Sequence, residues 1–440
     1  MLLALSNARM YCRNWKIGLP LALQVASKGH QAIGADINPV LVADVMAGRE
    51  PFPGEAELEQ RLKTALDQEL FEATTDVRAA VAGADAVLIA VPLIVDEEKN
   101  PEFKALDAAT TAISEGLTKG TLVSYAATLP VGTTRNRFTP ALATGSKLVP
   151  GEDFFVCFSP ERVFSGQVFA DLRRFPKIVG GIDETLKEKG CAFYEAILDF
   201  DERPDLPQGN GVWNVGTSET SELVKLAETT YRDVNIALAN EFGRYTDRIG
   251  VSIKTVIDAA NSQPCSHIHS PGVAVGGHCI PVYPHLYLST DPEATLPRLG
   301  RKVNSSMPAY TVGRLINLIG NLDGLRVVIL GASYRGDVKE LAFSGVFPLA
   351  EELGKKGAEV VVNDPLYTDE EIRDLGFAAY RIGEGCEAAI LQADHKTYTR
   401  LNPTMLPGIK AIVDGRGALN PEDWLGSNVA FAALGRGDLA

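Results

Sequence analysis

Two distant stretches of the chain repeat one another: Pro20-Leu21-Ala22, five residues, Lys28-Gly29, six residues, Asp36, and later Pro348-Leu349-Ala350, five residues, Lys356-Gly357, six residues, Asp364. In each copy the residues before the glycine fit a helix that stops there, because glycine enters the left-handed backbone region that ends helices. An apolar run follows, Gln31-Ala32-Ile33-Gly34-Ala35 and then Glu359-Val360-Val361-Val362-Asn363, and reads as a strand with an Asp at its C-terminal end. Helix, strand and terminal acid form half of a nucleotide-binding βαβ unit, in which the acid hydrogen-bonds a ribose. The echo therefore predicts an α/β protein with two Rossmann-like, doubly wound domains, one towards each end.

Outward from these copies, strand-like runs recur at 84–91, 121–125, 153–158 and 177–179, and again at 325–330, 409–413 and 429–433. Between the two groups strand chemistry disappears. Leu223, Leu226, Ala227, Thr230, Val234, Ala237, Leu238 and Phe242 recur at helical spacing and predict one long helix over 218–249. Thr217 or Ser218 would cap its start, Glu219 and Glu222 would favour its positive end, and Gly250 would end it. A second helix over 253–260 and a Gly/Pro-rich loop over 264–284 follow. The division expected is a dinucleotide domain over 1–200, a central helical domain over 201–306 and a second nucleotide domain over 307–440. A long helix joining two such domains is equally readable as a subunit interface or as packing within one chain.

Composition narrows the function. With 42 Lys+Arg against 56 Asp+Glu the formal net charge is −14, which gives nucleic acid or an anionic membrane no electrostatic attraction as a partner. No apolar stretch approaches the roughly 18 residues of a membrane span, nor does the start carry a secretory core, so a cytoplasmic place is expected. The six cysteines lack paired spacing and read as reduced thiols. Cys12, Cys157, Cys191 and Cys386 read as buried apolar residues. Cys279 is different, because Pro271-Gly272-Val273-Ala274-Val275-Gly276-Gly277-His278-Cys279 holds it in a glycine-rich loop where a thiol can be exposed and activated. Cys265, His267, His269, His278 and Cys279 crowd together, but their spacing fits zinc poorly and no metal is expected. Lys225 and Thr229 stand one turn apart beside Glu222; in isolation that stripe reads as a solvated charged face.

Several motifs occur together in a fixed order: Ala126-Ala127-Thr128-Leu129-Pro130-Val131-Gly132-Thr133-Thr134, Ser159-Pro160-Glu161-Arg162-Val163, Ser221-Glu222-Leu223-Val224-Lys225, Tyr231 to Ala237 with Asn240-Glu241, Gly276-Gly277-His278-Cys279-Ile280-Pro281, and Asn304 to Pro308. Their order resembles the NAD-dependent nucleotide-sugar 6-dehydrogenases of the UDP-glucose/UDP-mannuronic acid type. The resemblance implies oxidation of a sugar C6 hydroxyl to an aldehyde, its capture by Cys279 as a thiohemiacetal, a second oxidation to a thioester, and hydrolysis to the uronate. It implies Lys225 at the oxyanion, Glu161 as base for water and Thr229 as a helper. NAD would be held through Gly18, Asp36, Thr128 and Glu161. The UDP-sugar would be held through Arg162, Gly276, Gly277, His278 and Arg335, in a homodimer or higher homo-oligomer built on the long helix. Ser-Pro-Glu-Arg-Val with Gly166 nearby resembles the branch acting on UDP-N-acetyl-D-mannosamine, the alternative being UDP-glucose.

The pattern breaks in places. Thr229 stands where the family has Asn, Tyr283 where it has Asp, and Arg335-Gly336 and Ala342-Phe343 replace its usual Lys-Pro and Arg. The first two glycines of G-x-G-x-x-G fall on Arg13 and Trp15, only Gly18 remains, and 7–12 makes a poor buried strand. Either residues 1–16 are not the native start or frame, or the chain is an impaired UDP-sugar binder; the abrupt return of similarity at Ile17 favours the former.

Overall fold

The structure, a computed structural model, describes residues 8–11, 15–52 and 54–439. The chain falls into two compact units, Met1–Glu228 with His285–Asp291, and Thr229–Pro284 with Pro292–Ala440.

The first unit is built on a sheet of β1 (Ala8–Tyr11), β2 (Ala32–Ala35), β3 (Phe71–Thr74), β4 (Ala86–Ile89), β5 (Leu122–Tyr125), β6 (Phe155–Phe158), β7 (Lys177–Gly181) and β8 (Val212–Thr217). Their order is β8-β7-β6-β5-β4-β1-β2-β3, and every neighbouring pair is parallel except β6 with β7. β2, β4, β5, β6 and β7 are buried along their whole length, which is why their sequences are mostly apolar without alternation.

The reading of 7–12 as a poor strand needs correction. β1 lies inside the sheet, Met10 pairing with Gly34 on one side and Leu88 on the other. Strands β2 and β4 leave a slot of unpaired backbone groups between them, and filling it outweighs local propensity. Cys12 and Arg13 lie outside the described residues. The first helix, Trp15–Ser27, follows and is sealed on several sides, with Leu19, Leu21, Ala22, Leu23, Val25 and Ala26 all buried. It ends before Gly29, at φ 80°.

The second unit carries β9 (Arg326–Leu330), β10 (Glu359–Asn363), β11 (Ala378–Ala379), β12 (Ala388–Leu391), β13 (Ala411–Asp414) and β14 (Ala430–Ala433), in the order β11-β10-β9-β12-β13-β14. All five pairings are parallel. Numbered within each unit, both sheets run 3-2-1-4-5-6, the order of dinucleotide-binding folds, the first adding two further strands. The echo falls on equivalent elements. Val346–Gly354 is the helix between the first two strands, Gly357 takes φ 75°, and Asp364 follows the second strand as Asp36 does in the first unit.

The long helix spans Ser218–Ile249 as expected, with Thr217 Oγ1 accepting from Thr220 N at 3.1 Å and Gly250 at φ 73° beyond its end. Ile253–Ala260 forms the next helix, capped by Ser252. Among the described residues no helix is long and apolar enough to cross a membrane.

Candidate active site

In the first unit the Ser159–Val163 run leaves the end of β6, and Ser159 Oγ donates to Ile178 O at 2.7 Å, pinning the turn to β7. Glu161 is thereby brought against Lys177, the first residue of β7, in an ion pair with both side chains almost wholly buried. The Lys177 ammonium also lies 4.5 Å from the centre of the Tyr194 ring, whose hydroxyl shares a 2.8 Å hydrogen bond with Ser124. Arg162 donates through Nε to Glu228 Oε2 at 2.8 Å, and Lys225 Nζ to Glu228 Oε1 at 2.9 Å. Burial pushes the Glu228 carboxyl up, but Lys225 and Arg162 outweigh it and hold the group below its ordinary value. The solvated-face reading of this stripe is thus corrected: Lys225 is 6% exposed and Glu222 0%.

Glu222 has a separate task from favouring the helix start. Its Oε2 accepts from Gly132 N at 2.5 Å, and its Oε1 accepts from Thr134 N at 2.8 Å and Thr134 Oγ1 at 2.7 Å. Three donors from the 126–134 run, including Gly132 at φ 85°, are thereby tied to the helix that carries Lys225. Burial still pushes the Glu222 carboxyl up to about 7, with the like charge of Glu219 adding to it. Thr128 is buried within the same run. At its other end the Glu161 segment is fastened by Glu55, which accepts from Gly166 N at 2.7 Å and Val168 N at 2.6 Å.

On the dinucleotide side, Asp36 is 3% exposed and its Oδ1 accepts from Asn38 N at 2.9 Å. An acid so placed after the second strand of a 3-2-1-4 sheet fits an adenosine ribose. Gly18 lies in the first helix. The residues present therefore suit a dinucleotide at the ribose position.

In the second unit the 264–284 loop is tethered by the long helix. Asn235 donates through Nδ2 to His267 O at 2.7 Å and accepts His269 N at 3.0 Å, while Asn240 accepts Gly272 N at 2.9 Å. Asn240 in turn belongs to a buried network in which Asn304 bonds Asp233 and Arg301 pairs with Asp233 at 2.9 Å. Of the loop's three glycines only Gly277 takes a positive φ, 90°. Gly276 is required for closeness instead: a Cβ there would stand 2.6 Å from Tyr334 Cβ and 3.0 Å from Phe343 O. Gly277 N donates to Ala342 O at 2.7 Å and His278 Nε2 lies 3.4 Å from Glu340 Oε2, so the segment before Cys279 is locked to the loop after β9. That loop holds two non-glycine residues in the left-handed region, Asp337 at φ 57° and Phe343 at φ 50°, costly for a bulky side chain. Arg335 lies 5.6 Å over the Tyr334 ring.

None of the five described cysteines is in a disulfide. Burial pushes the Cys157 thiol up to about 12 and raises that of Cys386 too. Cys191, read as buried, is only partly so, because it packs at the margin of the core. Cys279 is partly exposed. Cys279, Thr229, Gly276, Gly277, His278 and Arg335 belong to the second unit, and Glu161, Arg162, Lys225, Thr128, Asp36 and Gly18 to the first. Tyr283 opens the helix Tyr283–Thr290. Sequence reasoning missed Lys177, Glu222 as a loop clamp, and Glu228. The available signal was a lysine at the head of the otherwise apolar run Ile178-Val179-Gly180-Gly181.

Comparison with known proteins accords with this geometry. Models of the UDP-glucose/GDP-mannose dehydrogenase family match in order: the NAD binding domain over residues 16–198, the central domain over 219–305 and the UDP binding domain over 328–421. The chain belongs to that family.

Members of the UDP-glucose/GDP-mannose dehydrogenase family are NAD-dependent oxidoreductases of nucleotide sugars, and NAD is the cofactor of the matching domain. The chain is 31% identical over 433 residues to a UDP-N-acetyl-D-mannosamine dehydrogenase of Pyrococcus horikoshii, covering 96% of this chain and 98% of that protein. It is also 31% identical over 416 residues to an NDP-N-acetyl-D-galactosaminuronic acid dehydrogenase of Ralstonia nicotianae, covering 91% and 93%. The solved structure of a UDP-D-ManNAc dehydrogenase from Pyrococcus horikoshii superposes with a TM-score of 0.87 at 29% identity, covering 98% of this chain and all of that one.

Proposed function

We propose that this member of the family oxidises the C6 hydroxyl of a UDP-sugar twice to give the uronate, with UDP-N-acetyl-D-mannosamine as substrate. The observation that supports it is the group of ions around the Ser159–Val163 turn, in which Glu161 and Lys177 form a buried pair and buried Lys225 shares the half-buried Glu228 with half-buried Arg162. Burying several ions together is costly, and such arrangements concentrate where charge develops during a reaction. The relatives' names favour an N-acetylated hexosamine, and UDP-glucose is the competing substrate.

In this reading Asp36 holds the adenosine ribose, and Gly18 and Thr128 line the rest of the dinucleotide's path. NAD, when bound, supplies the hydride acceptor for each oxidation. Cys279 attacks the C6 aldehyde as a thiolate, giving a thiohemiacetal whose oxygen Lys225 stabilises with help from Thr229. Loss of a second hydride leaves a thioester. Water, deprotonated by Glu161, attacks that carbonyl, the C–S bond breaks, and uronate and free thiolate result. Arg162, Gly276, Gly277, His278 and Arg335 bind the UDP-sugar, and the protein acts in three parts, 1–200, 201–306 and 307–440, as a homodimer built on the long helix.

The test is incubation with NAD and a panel of UDP-sugars while NADH and uronate are measured. UDP-N-acetyl-D-mannosamine should give two NADH per uronate, Cys279→Ser should abolish uronate, and Lys225→Ala should slow turnover on the order of 100-fold or more. Full activity in either variant refutes its role, and greater activity on UDP-glucose refutes the substrate. A second reading, a UDP-sugar binder without turnover, rests on Arg13 and Trp15 at the glycine positions. Titration with NADH separates the two, since the binder would not retain the dinucleotide.

A further inference from the structure

Lys177 is buried, charged and unused by the scheme above. It opens β7 with its side chain 5% exposed, and four groups face it: the Glu161 carboxylate in direct ion pair, the Tyr194 ring at 4.5 Å, and the Cys157 thiol and Lys225 ammonium further off. Burial pushes its ammonium down, with Lys225 contributing in the same direction and Glu161 opposing both. The ion pair is a poor device for stability alone. Removing two charges from water costs about as much as their attraction returns, and well-packed apolar residues commonly do as well or better. Cys157, Tyr194 and the apolar neighbours of β6 and β7 would accept such a replacement. Lys177 donates to Glu161 Oε1, one of the two carboxylate oxygens.

We propose that Lys177 is a positioning residue for the reaction: its ammonium grips one oxygen of Glu161, fixes the plane of that carboxylate and balances its charge, so that the other oxygen is presented to water. The proposal rests on Glu161 being the base of the hydrolytic step. The same arrangement explains how Glu161 can be nearly as buried as Lys177 and still be held in a defined orientation by something other than the bound sugar.

Four variants decide it, each checked for folding by circular dichroism and assayed with UDP-N-acetyl-D-mannosamine and NAD. Lys177→Met should lower kcat on the order of 10- to 100-fold with KM for the sugar nucleotide little changed, the size expected for losing an oriented base. Lys177→Arg should recover most of the rate. Glu161→Gln should be the slower single variant, and Lys177→Met with Glu161→Gln should be no slower than Glu161→Gln alone. A fully active Lys177→Met beside an inactive Glu161→Gln overturns the role of Lys177 only. An active Glu161→Gln, or a wild-type chain without turnover, overturns the reading of Glu161 on which it rests. Should Lys177→Met fail to fold, the double variant and Lys177→Arg still decide: a further loss in the double variant, or no recovery with arginine, overturns the proposal.

Discussion

Two carboxylates, one in each unit, fasten a functional loop in the same way and are charged differently in doing so. Glu222 takes two backbone N–H groups and a hydroxyl from the 126–134 run. Asp364 takes Ala332 N and Ser333 N at 2.8 Å on Oδ2, with His395 Nε2 at 3.1 Å on the same oxygen and Leu366 N at 2.9 Å on Oδ1. Burial raises both carboxyls, yet Glu222 ends well above its ordinary value and Asp364 below it. At Glu222 burial outweighs the hydrogen bonds, whereas at Asp364 the hydrogen bonds, that of His395 foremost, outweigh burial. Glu222 has the like charge of Glu219 close by, whereas Asp364 has the buried His395, whose Nδ1 accepts Asp337 N at 3.0 Å and so leaves its proton on Nε2, facing the acid. The proton affinity of such a clamp is set by the balance between burial, which favours the neutral acid, and the hydrogen bonds, which favour the carboxylate.

The most disruptive way to break the comparison is to remove Asp364. Asp364→Ala strands two buried N–H groups and His395, and should cost about 3–5 kcal/mol of stability in a denaturant titration. A loss below about 1 kcal/mol would mean the loop after β9 is held by other contacts. Glu222→Gln keeps the shape but gives up one acceptor, and should cost about 1–3 kcal/mol. Its kinetic signature should be a raised KM for NAD with KM for the sugar nucleotide unchanged, while Asp364→Asn should show the reverse.

Smaller, and diagnostic of the charge difference, are the pH slopes. Folded Glu222 binds its proton more tightly than the unfolded chain does, so its contribution to stability improves as pH falls from about 7 towards the ordinary carboxylate range. Asp364 does the opposite: its contribution is complete at neutral pH and is lost as pH falls through and below its ordinary value of 3.8. Melting temperatures across that range for wild type and Glu222→Gln should therefore converge as the pH rises to 7 and above. Curves that stay parallel would place the Glu222 proton elsewhere. Smallest of all, His395→Ala should move Asp364 towards the behaviour of Glu222, seen as loss of stability beginning at higher pH.

Much of the fold was legible because its signals are local. The Lys-Gly-Asp echo marked equivalent helices and strands in both sheets, and the apolar spacing from Leu223 to Phe242 marked the long helix to its ends. β1 was not legible, since Arg9 and Met10 are extended only because β2 and β4 leave room between them. Nor were β11, two residues long, and β8, a half-buried edge strand without an apolar run. In the candidate site, motifs named Glu161, Lys225 and Cys279, the residues proposed to act. Their partners went unnamed, because Lys177 lies 16 positions from Glu161 and Arg162 lies 66 from Glu228, and no spacing rule spans such separations.

The close seating of Gly276 and Gly277 on Tyr334 and Ala342 carries a last consequence. The segment leading to the thiol and the loop that opens the nucleotide-binding sheet share a backbone hydrogen bond and a surface with no room for a methyl group, so they order and disorder as one body. Whatever steadies the loop steadies Cys279, the nucleophile of the proposed reaction. In the proposed reaction, binding energy from the uridine end of the substrate would thereby be expressed in the rate at C6 as well as in affinity, and a free sugar lacking its nucleotide would forfeit turnover even at saturation.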